Sequence, residues 1–289
     1  MANNLLDKTQ DQLLKYALKY YKINCKRACN ISDPKLLSEK IQWYTFFYKN
    51  PLCPYIVDKV TFKDYVKEKI GEGYTIPLIA SWKSVDEFEK DWWGETLPKE
   101  FCLKSNLQSD GKCIRIIHDK DSVDFAELKK EISEWLKPEN TNMNSLARNF
   151  YMSTPQVLAE KFMSNYKDQL YDYKFYCFDG YVHCVCSSKE HFVDEHYPIT
   201  YFDTSWNMLD VQSGDHKVEF IPKPPHFEKM LELAKLLSKG FPFVRVDFFD
   251  TEEKLYVAEL TFNPGGGFFN FNPISFDREM GDLFVIPKI

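Results

Sequence analysis

No stretch of this sequence stays apolar for the roughly 20 residues that a bilayer-crossing helix needs. Nor is there a basic excess of the kind that neutralises many nucleic-acid phosphates: 37 Lys and Arg stand against 43 Asp and Glu, a formal charge of −6. General nucleic-acid binding is therefore not expected. Neither GxGxxG nor GxxxxGK[ST] occurs in the chain, so a Rossmann or P-loop nucleotide site is excluded. The cysteines, Cys25, Cys29, Cys53, Cys102, Cys113, Cys177, Cys184 and Cys186, lack the paired two-residue gaps of a zinc ribbon and read as reduced thiols. Cys184 and Cys186 share a face of a strand, and Cys25 and Cys29 a face of a helix. A metal pair there is the alternative to small buried apolar groups. The histidines, His118, His183, His191, His196, His216 and His226, have no close carboxylates in a ligand pattern and read as core or surface residues. Repeats and low-complexity tracts are absent. The first residues, MANNLLDKTQDQLLKYALKYY, are amphipathic and acid-containing where a signal peptide is basic and then apolar, so the expected location is cytoplasmic.

What is present is a globular composition, 44% hydrophobic and 16% aromatic over 289 residues, enough to bury a core and to form two lobes. Apolar spacings of three and four predict a helix from Asn4 to about Tyr21 and a second opened by Ser32, Asp33 and Pro34 that stops near Asn50. A third, FKDYVKEKI, follows Thr61 and stops at Gly71, and Ser84 with Glu87 marks a short fourth. After Pro98 the text turns to hairpins: FCLKSN with KCIRII around Asp110-Gly111, YDYKFYCF with YVHCVCS around Asp179-Gly180, and FPFVRVDFF with LYVAELT around Glu253. Helices are expected from Val123 to Leu136, from Pro155 toward AEKFM, and from Phe227 to Leu237 closed by Gly240, with a hinge at KPENTNMNS. His191 to Pro225 reads as irregular strands and loops, and Trp92-Trp93 and Phe268 to Phe271 as core or a sugar-stacking surface. Helices alternating with hairpins, without a βαβ rhythm, predict an α+β chain.

The third hairpin carries the most chemistry. Side chains alternate on a strand, so Arg245 and Asp247 share a face, as do Glu259 and Thr261. A turn centred on Glu253 sets Asp247 directly opposite Glu259. Two opposed carboxylates repel unless a cation lies between them, and Mg²⁺ takes such hard oxygens together with substrate phosphates. The alternative is a pair of solvated acids, which the apolar neighbours Phe243, Val244, Val246, Phe248, Tyr256 and Val257 disfavour. Lys104 lies on the first strand of the hairpin whose polar turn, Asn106 to Gly111, offers backbone donors to phosphate.

In their order, Asp58-Lys59, LPKEFCLKSN, AEKFM, DYKFYCFDG, FPFVRVDFF and AELTFNPGGG resemble the ATP-grasp superfamily. Together with SEKIQWY, Ile76-Pro77, TYFDTSWN and FNFNPISFD they look most like its TupA-like branch, associated with bacterial surface-polysaccharide and teichuronopeptide synthesis, from about Ser32 to Asp282. The resemblance implies an ATP-grasp fold in which the nucleotide is held between two α+β lobes. An α-rich amino-terminal cap (residues 1–75) precedes a first lobe (76–163) and a second lobe (164–289) with the metal site.

It implies ATP and Mg as cofactors. Lys59 and Lys104 match the phosphate-binding lysines, the turn from Leu107 through Ser109 to Gly111 the phosphate-covering loop, and Glu160, Lys161, Phe162 and Met163 the linker that reads adenine. Lys174 stands beside the nucleotide, with Asp172. Arg245 matches the arginine that steadies the transferring phosphate, and Asp247 and Glu259 the magnesium carboxylates, with Asn263 a third ligand. Thr261 is the other possibility for that ligand, because Glu259-Leu260-Thr261 replaces the family's Glu-x-Asn. The loop departs further, carrying Leu107, Gln108 and an acidic Asp110 where the branch has histidine and more glycine. Pro264 to Gly267 is a backbone approach to the acceptor acid, or an ordinary turn.

The implied activity is that of a ligase joining a carboxylate to an amine through an acyl phosphate, with ADP and phosphate released. Its partners are small molecules: a uronic acid or an amino acid, a nucleotide-linked sugar included. The implied place of work is the cytoplasm, at the inner face of the membrane beside polysaccharide-synthesis enzymes. The alternatives are a small-molecule or sugar kinase on the same ATP site, a polysaccharide glycosyltransferase, or a nucleotide-binding protein without turnover.

Overall fold

The computed structural model describes residues 5–109, 113–163, 171–189, 198–251 and 254–288. Helix α1 (Gln10–Asn24) begins at a capping box, in which the Thr9 hydroxyl accepts from Gln12 N and the Gln12 side chain accepts from Thr9 N. That cap sets the start several residues later than the apolar spacing suggests. Helix α2 (Leu37–Phe47) also starts late, because the Glu39 carboxylate folds back to accept from Lys35 N and Leu36 N at 2.9 and 3.2 Å. A short α3 (Leu52–Val57) was not expected, whereas α4 (Phe62–Ile70) runs to Gly71 as its sequence predicts. An unexpected β1 (Leu78–Trp82) interrupts the helical region before α5 (Val85–Trp92), whose Ser84 cap accepts from Glu87 N.

Next come β2 (Phe101–Ser105), β3 (Ile114–Ile117), α6 (Phe125–Trp135) and β4 (Val157–Lys161). The helix expected from Pro155 is thus a strand. Both edges of β4 are hydrogen-bonded, to β1 and to β2, in a sheet ordered β1-β4-β2-β3. Pairing on two sides decides the identity of Val-Leu-Ala-Glu-Lys, a segment too short for periodicity to do so. The expected hinge after Leu136 contains short 3₁₀ turns.

The second sheet, ordered β10-β9-β5-β6-β7, contains β5 (Tyr171–Phe178), β6 (Tyr181–Lys189), β7 (Ile199–Phe202), β9 (Val244–Asp250) and β10 (Leu255–Thr261). Asp179 and Gly180 join β5 to β6 with φ of 45° and 84°, the left-handed pair that a two-residue hairpin demands. A two-stranded ribbon of β8 (Gln212–Ser213) and β11 (Phe271–Asn272) stands apart from these sheets, and α7 (Phe227–Ser238) and α8 (Ile274–Leu283) are the remaining α-helices among the described residues. The turn residue Glu253, and His191 and His196, lie outside the described residues.

One core lies under the first sheet, around Phe88, Phe101, Leu103, Leu128 and Ile132. A larger one joins the second sheet to Leu37, Ile41 and Tyr44 of α2 and to Ile56 of α3. A buried polar tie reinforces that junction: Asp277 of α8 accepts from Ser38 N at 2.9 Å, Ser38 Oγ at 2.6 Å and Arg27 at 2.6 Å. All eight cysteines are free. Helix α1 ends at Asn24, so Cys25 and Cys29 do not share a helix face, while Cys184 and Cys186 do share a strand face and are buried. Trp92 belongs to the first core, and Trp93 is exposed.

Candidate active site

The second sheet brings its charged residues into rows. Lys174, Asp247 and Glu259 are direct partners across β5, β9 and β10, and Tyr176, Arg245 and Thr261 form the next row on the same face. The register depends on a bulge. Near the turn Leu255 pairs with Asp250 and Val257 with Phe248, but an extra residue at Ala258 moves Glu259 opposite Asp247. Without it Ala258 would face Asp247, and Glu259 would point with Val246 into the core.

The cation between the two acids is Arg245. Its Nε donates to Asp247 Oδ1 at 2.7 Å, and a terminal nitrogen donates to Asp247 Oδ2 at 2.5 Å and Glu259 Oε1 at 2.8 Å. Thr261 Oγ1 donates to the same Glu259 oxygen at 2.6 Å. One guanidinium does not fully compensate two carboxylates. Burial, with the charge of Glu259 added, pushes Asp247 up to about 7 despite Arg245. Glu259 is held low: burial opposes its charge, but Arg245 and then Lys59 outweigh burial. Asp247 and Glu259 present hard oxygens on one face, the donor type that a divalent cation takes, with Arg245 standing between them; among the described residues no cluster of three or more His, Cys, Asp or Glu side chains that could hold a metal ion is found. Lys174 donates to Asp172 at 2.7 Å and Ser188 at 3.1 Å.

On the first sheet, Phe101, Leu103, Val157 and Ala159 face the core, and the alternate positions face the other way. That second face carries Lys104 and Cys102 of β2, Glu160 of β4, and the exposed Ile114 and Ile116 of the edge strand β3. Glu160 is buried between two lysines: Lys104 Nζ donates to Oε2 at 2.7 Å and Lys63 Nζ to Oε1 at 2.5 Å. Together they hold its carboxyl below the ordinary range although burial opposes them. Lys104 is raised, its burial more than offset by Glu160, whereas burial lowers Lys63. Lys161, which ends β4, donates its N–H to the Pro77 carbonyl, and the Phe162 ring meets His118 edge-on at 5.1 Å.

Between these clusters lies Lys59. Its Nζ donates to the Gln108 carbonyl, and burial lowers it while Glu259 supports its charge. The neighbouring Asp58, fully buried, accepts from Asn106 Nδ2 at 2.7 Å, Ser153 Oγ at 2.6 Å and Val60 N at 2.9 Å. It ties the Lys59 segment to the start of the turn between β2 and β3. A cavity of about 390 Å³ opens here, lined by Lys59, Ser109, Arg245, Glu259 and Asn263 of the expected site residues. Lys104, Glu160, Lys174 and Asp247 are not on its wall. Gly111 and Asp110 lie outside the described residues.

The same cavity is lined by Gln42 and Thr45 of α2 and by Asn142, Ser145 and Tyr151, none of which the sequence marked as a site residue, although Gln42 lies in SEKIQWY and Asn142 and Ser145 in the hinge text. Their spacing is ordinary helix and loop text; only the fold brings them here. Gly265, Gly266 and Gly267 take φ of 55°, 62° and 72°, and Gln42 Nε2 donates to the Gly266 carbonyl at 2.5 Å. A β-carbon on Gly267 would come within 2.9 Å of Gln42 and Ile41, so glycine is required both by conformation and by contact.

The model of the TupA-like ATPgrasp family matches residues 39–285. No curated protein matches the chain in sequence. Among solved structures, the D-alanine–D-alanine ligase of Bacillus anthracis is similar at 18% identity over 74% of this chain, with a TM-score of 0.39. That of Helicobacter pylori has 14% identity over 88% and a TM-score of 0.47, and the phosphoribosylamine–glycine ligase of Thermotoga maritima 13% over 73% and 0.43. The chain spans 59%, 67% and 48% of the length of these three proteins.

Proposed function

From the chain's membership of the TupA-like ATP-grasp family, we propose that it is an ATP-dependent carboxylate–amine ligase acting in surface-polysaccharide synthesis. The observation that carries this reading is the opposed Asp247 and Glu259 with Arg245 between them, Glu259 and Arg245 lining a cavity that Lys59 also reaches. ATP would lie between the two sheets, its base toward Ile114, Ile116 and the Glu160–Met163 segment and its phosphates toward Lys104 and Lys59. Asp247 and Glu259, with Asn263 or Thr261, would hold magnesium, which when bound offsets phosphate charge and aligns the transferring group.

An acid in the cavity attacks the terminal phosphorus, ADP leaves, and an amine then displaces phosphate from the acyl phosphate to give the amide. The protein's part is positioning and charge compensation by Lys59, Lys104 and Arg245, and no protein nucleophile is needed. The cavity wall supports a choice of acid. Among the described residues its charged groups are Lys59, Arg245 and Glu259, and Glu259 is already bonded to Arg245 and Thr261. The remaining polar lining consists of neutral amides and hydroxyls, which suit a hydroxylated monocarboxylate such as a uronic acid better than a zwitterion.

The test is ADP release over a matrix of uronic acids, nucleotide-linked uronic acids and amino acids, with product masses recorded. The ligase gives an amide when acid and amine are both present, and a hydroxamate when hydroxylamine replaces the amine. A stable phosphorylated product without amine would instead assign a kinase. Consumption of a nucleotide sugar without ATP would assign a glycosyltransferase.

A further inference from the structure

We propose that Lys63 is a positioning residue of the nucleotide site: by taking one oxygen of Glu160 it leaves Lys104 with a positive charge available to a phosphate. The proposal rests on the nucleotide-binding reading above and concerns a residue outside the motifs that suggested it.

Glu160 stands on β4, hydrogen-bonded through the backbone on both sides, with its side chain only 7% exposed. A carboxylate so placed needs a counter-charge. Were Lys104 its sole partner, the pair would sum to zero and the ammonium would serve the protein instead of a ligand. The second lysine changes the sum. Lys63 takes Oε1 and Lys104 takes Oε2, at 2.5 and 2.7 Å, so the three groups together carry a single positive charge. Lys63 is the more enclosed lysine, 12% exposed against 21% for Lys104. It is also fixed independently of Glu160, because its Nζ donates to the Ile76 carbonyl at 2.7 Å and it stands on the first turn of α4. It does not reach the cavity wall. Its charge therefore acts through Glu160, and the charge left over appears on Lys104, on the face shared with Ile114 and Ile116.

A charge role for Lys63 predicts a rescue that a merely structural tie would not give. Removing the Lys63 charge leaves a neutral Lys104–Glu160 pair, and removing the Glu160 charge as well restores one positive charge on Lys104. The experiment is calorimetric titration of the full chain with ATP and magnesium, without acid or amine, on wild type, Lys63→Met and Lys63→Met/Glu160→Gln, with thermal melting beside it. Lys63→Met is expected to weaken ATP binding about tenfold, the scale of one charge-assisted hydrogen bond, and the double variant to return within about threefold of wild type. In turnover, Lys63→Met raises KM for ATP and leaves KM for the acid unchanged.

Wild-type affinity in Lys63→Met overturns the proposal, as does a double variant as weak as the single one. Should Lys63→Met not fold, the double variant still decides, since weak ATP binding by a folded double variant contradicts the charge argument. A wild-type chain that binds no ATP overturns the nucleotide reading itself, and this proposal with it.

Discussion

Asp247 and Glu259 face each other across β9 and β10, and each accepts a hydrogen bond from the same terminal nitrogen of Arg245, at 2.5 and 2.8 Å. Like charges set opposite one another destabilise a sheet, so the pair is held by the guanidinium. Arg245 is in turn buried among groups that need its charge.

On the proposed metal assignment, neutralising either acid removes activity, while the acid that remains still pairs with Arg245. Asp247→Asn and Glu259→Gln are each expected to lower ADP formation about 100-fold or more while melting temperature and circular dichroism stay near wild type. EDTA is expected to have the same effect and magnesium to reverse it. Unchanged turnover in either variant removes the pair from the proposed metal site.

Lys104→Ala is expected to raise KM for ATP about tenfold and to slow the reaction, measured as initial rates of ADP release over an ATP series. An ATP dependence identical to wild type would restrict Lys104 to its ion pair with Glu160.

Stability at acid pH reports Glu160. Two lysines hold its carboxyl below the ordinary 4.5 of an unfolded chain even though burial opposes them. A lowered folded value means that the unfolded chain takes up the proton first. The stabilisation is fully present above pH 4.5 and is lost as pH falls through the folded value. Melting temperature measured from pH 6 to 3 should fall less steeply for Glu160→Gln than for wild type. Parallel curves would place the acid sensitivity elsewhere.

Gly281 marks the contact of α8 with the start of α2. A β-carbon there would lie 2.1 Å from the Lys35 carbonyl oxygen and 2.9 Å from backbone atoms of Leu36 and Leu37. Backbone cannot yield as a side chain does, so Gly281→Ala should cost about 1–3 kcal/mol, read from urea unfolding. A variant as stable as wild type would mean that the two helices separate freely.

Much of the fold is local and was legible. The Asp179-Gly180 turn, α4 with its Gly71 stop, the Ser84 cap and the amphipathic α7 follow from dihedral preference and periodicity acting within a few residues. Non-local pairing was not legible in the same way. β1 and β4 are five-residue segments whose identity as strands comes from neighbours far away in the chain. The Glu160 side chain, marked only through its backbone segment, proves to be the centre of an ion-pair cluster. Its partner Lys63 differs in no sequence feature from other lysines of α4.

The sequence by itself determined the composition of the charged set: an Arg and an Asp two apart on one strand, a Glu and a Thr two apart on the next, and a lysine on a hairpin with a polar turn. Strand alternation is a property of the backbone, so it assigns residues within one strand to a face without further information. Tertiary structure alone decided which of those faces meet. The bulge at Ala258 sets Glu259 against Asp247, β4 inserts Glu160 between β1 and β2, and α2 closes the cavity with Gln42 and Thr45. Each of these depends on hydrogen bonds and burial between segments distant in sequence, and such contacts leave no periodic trace in either segment.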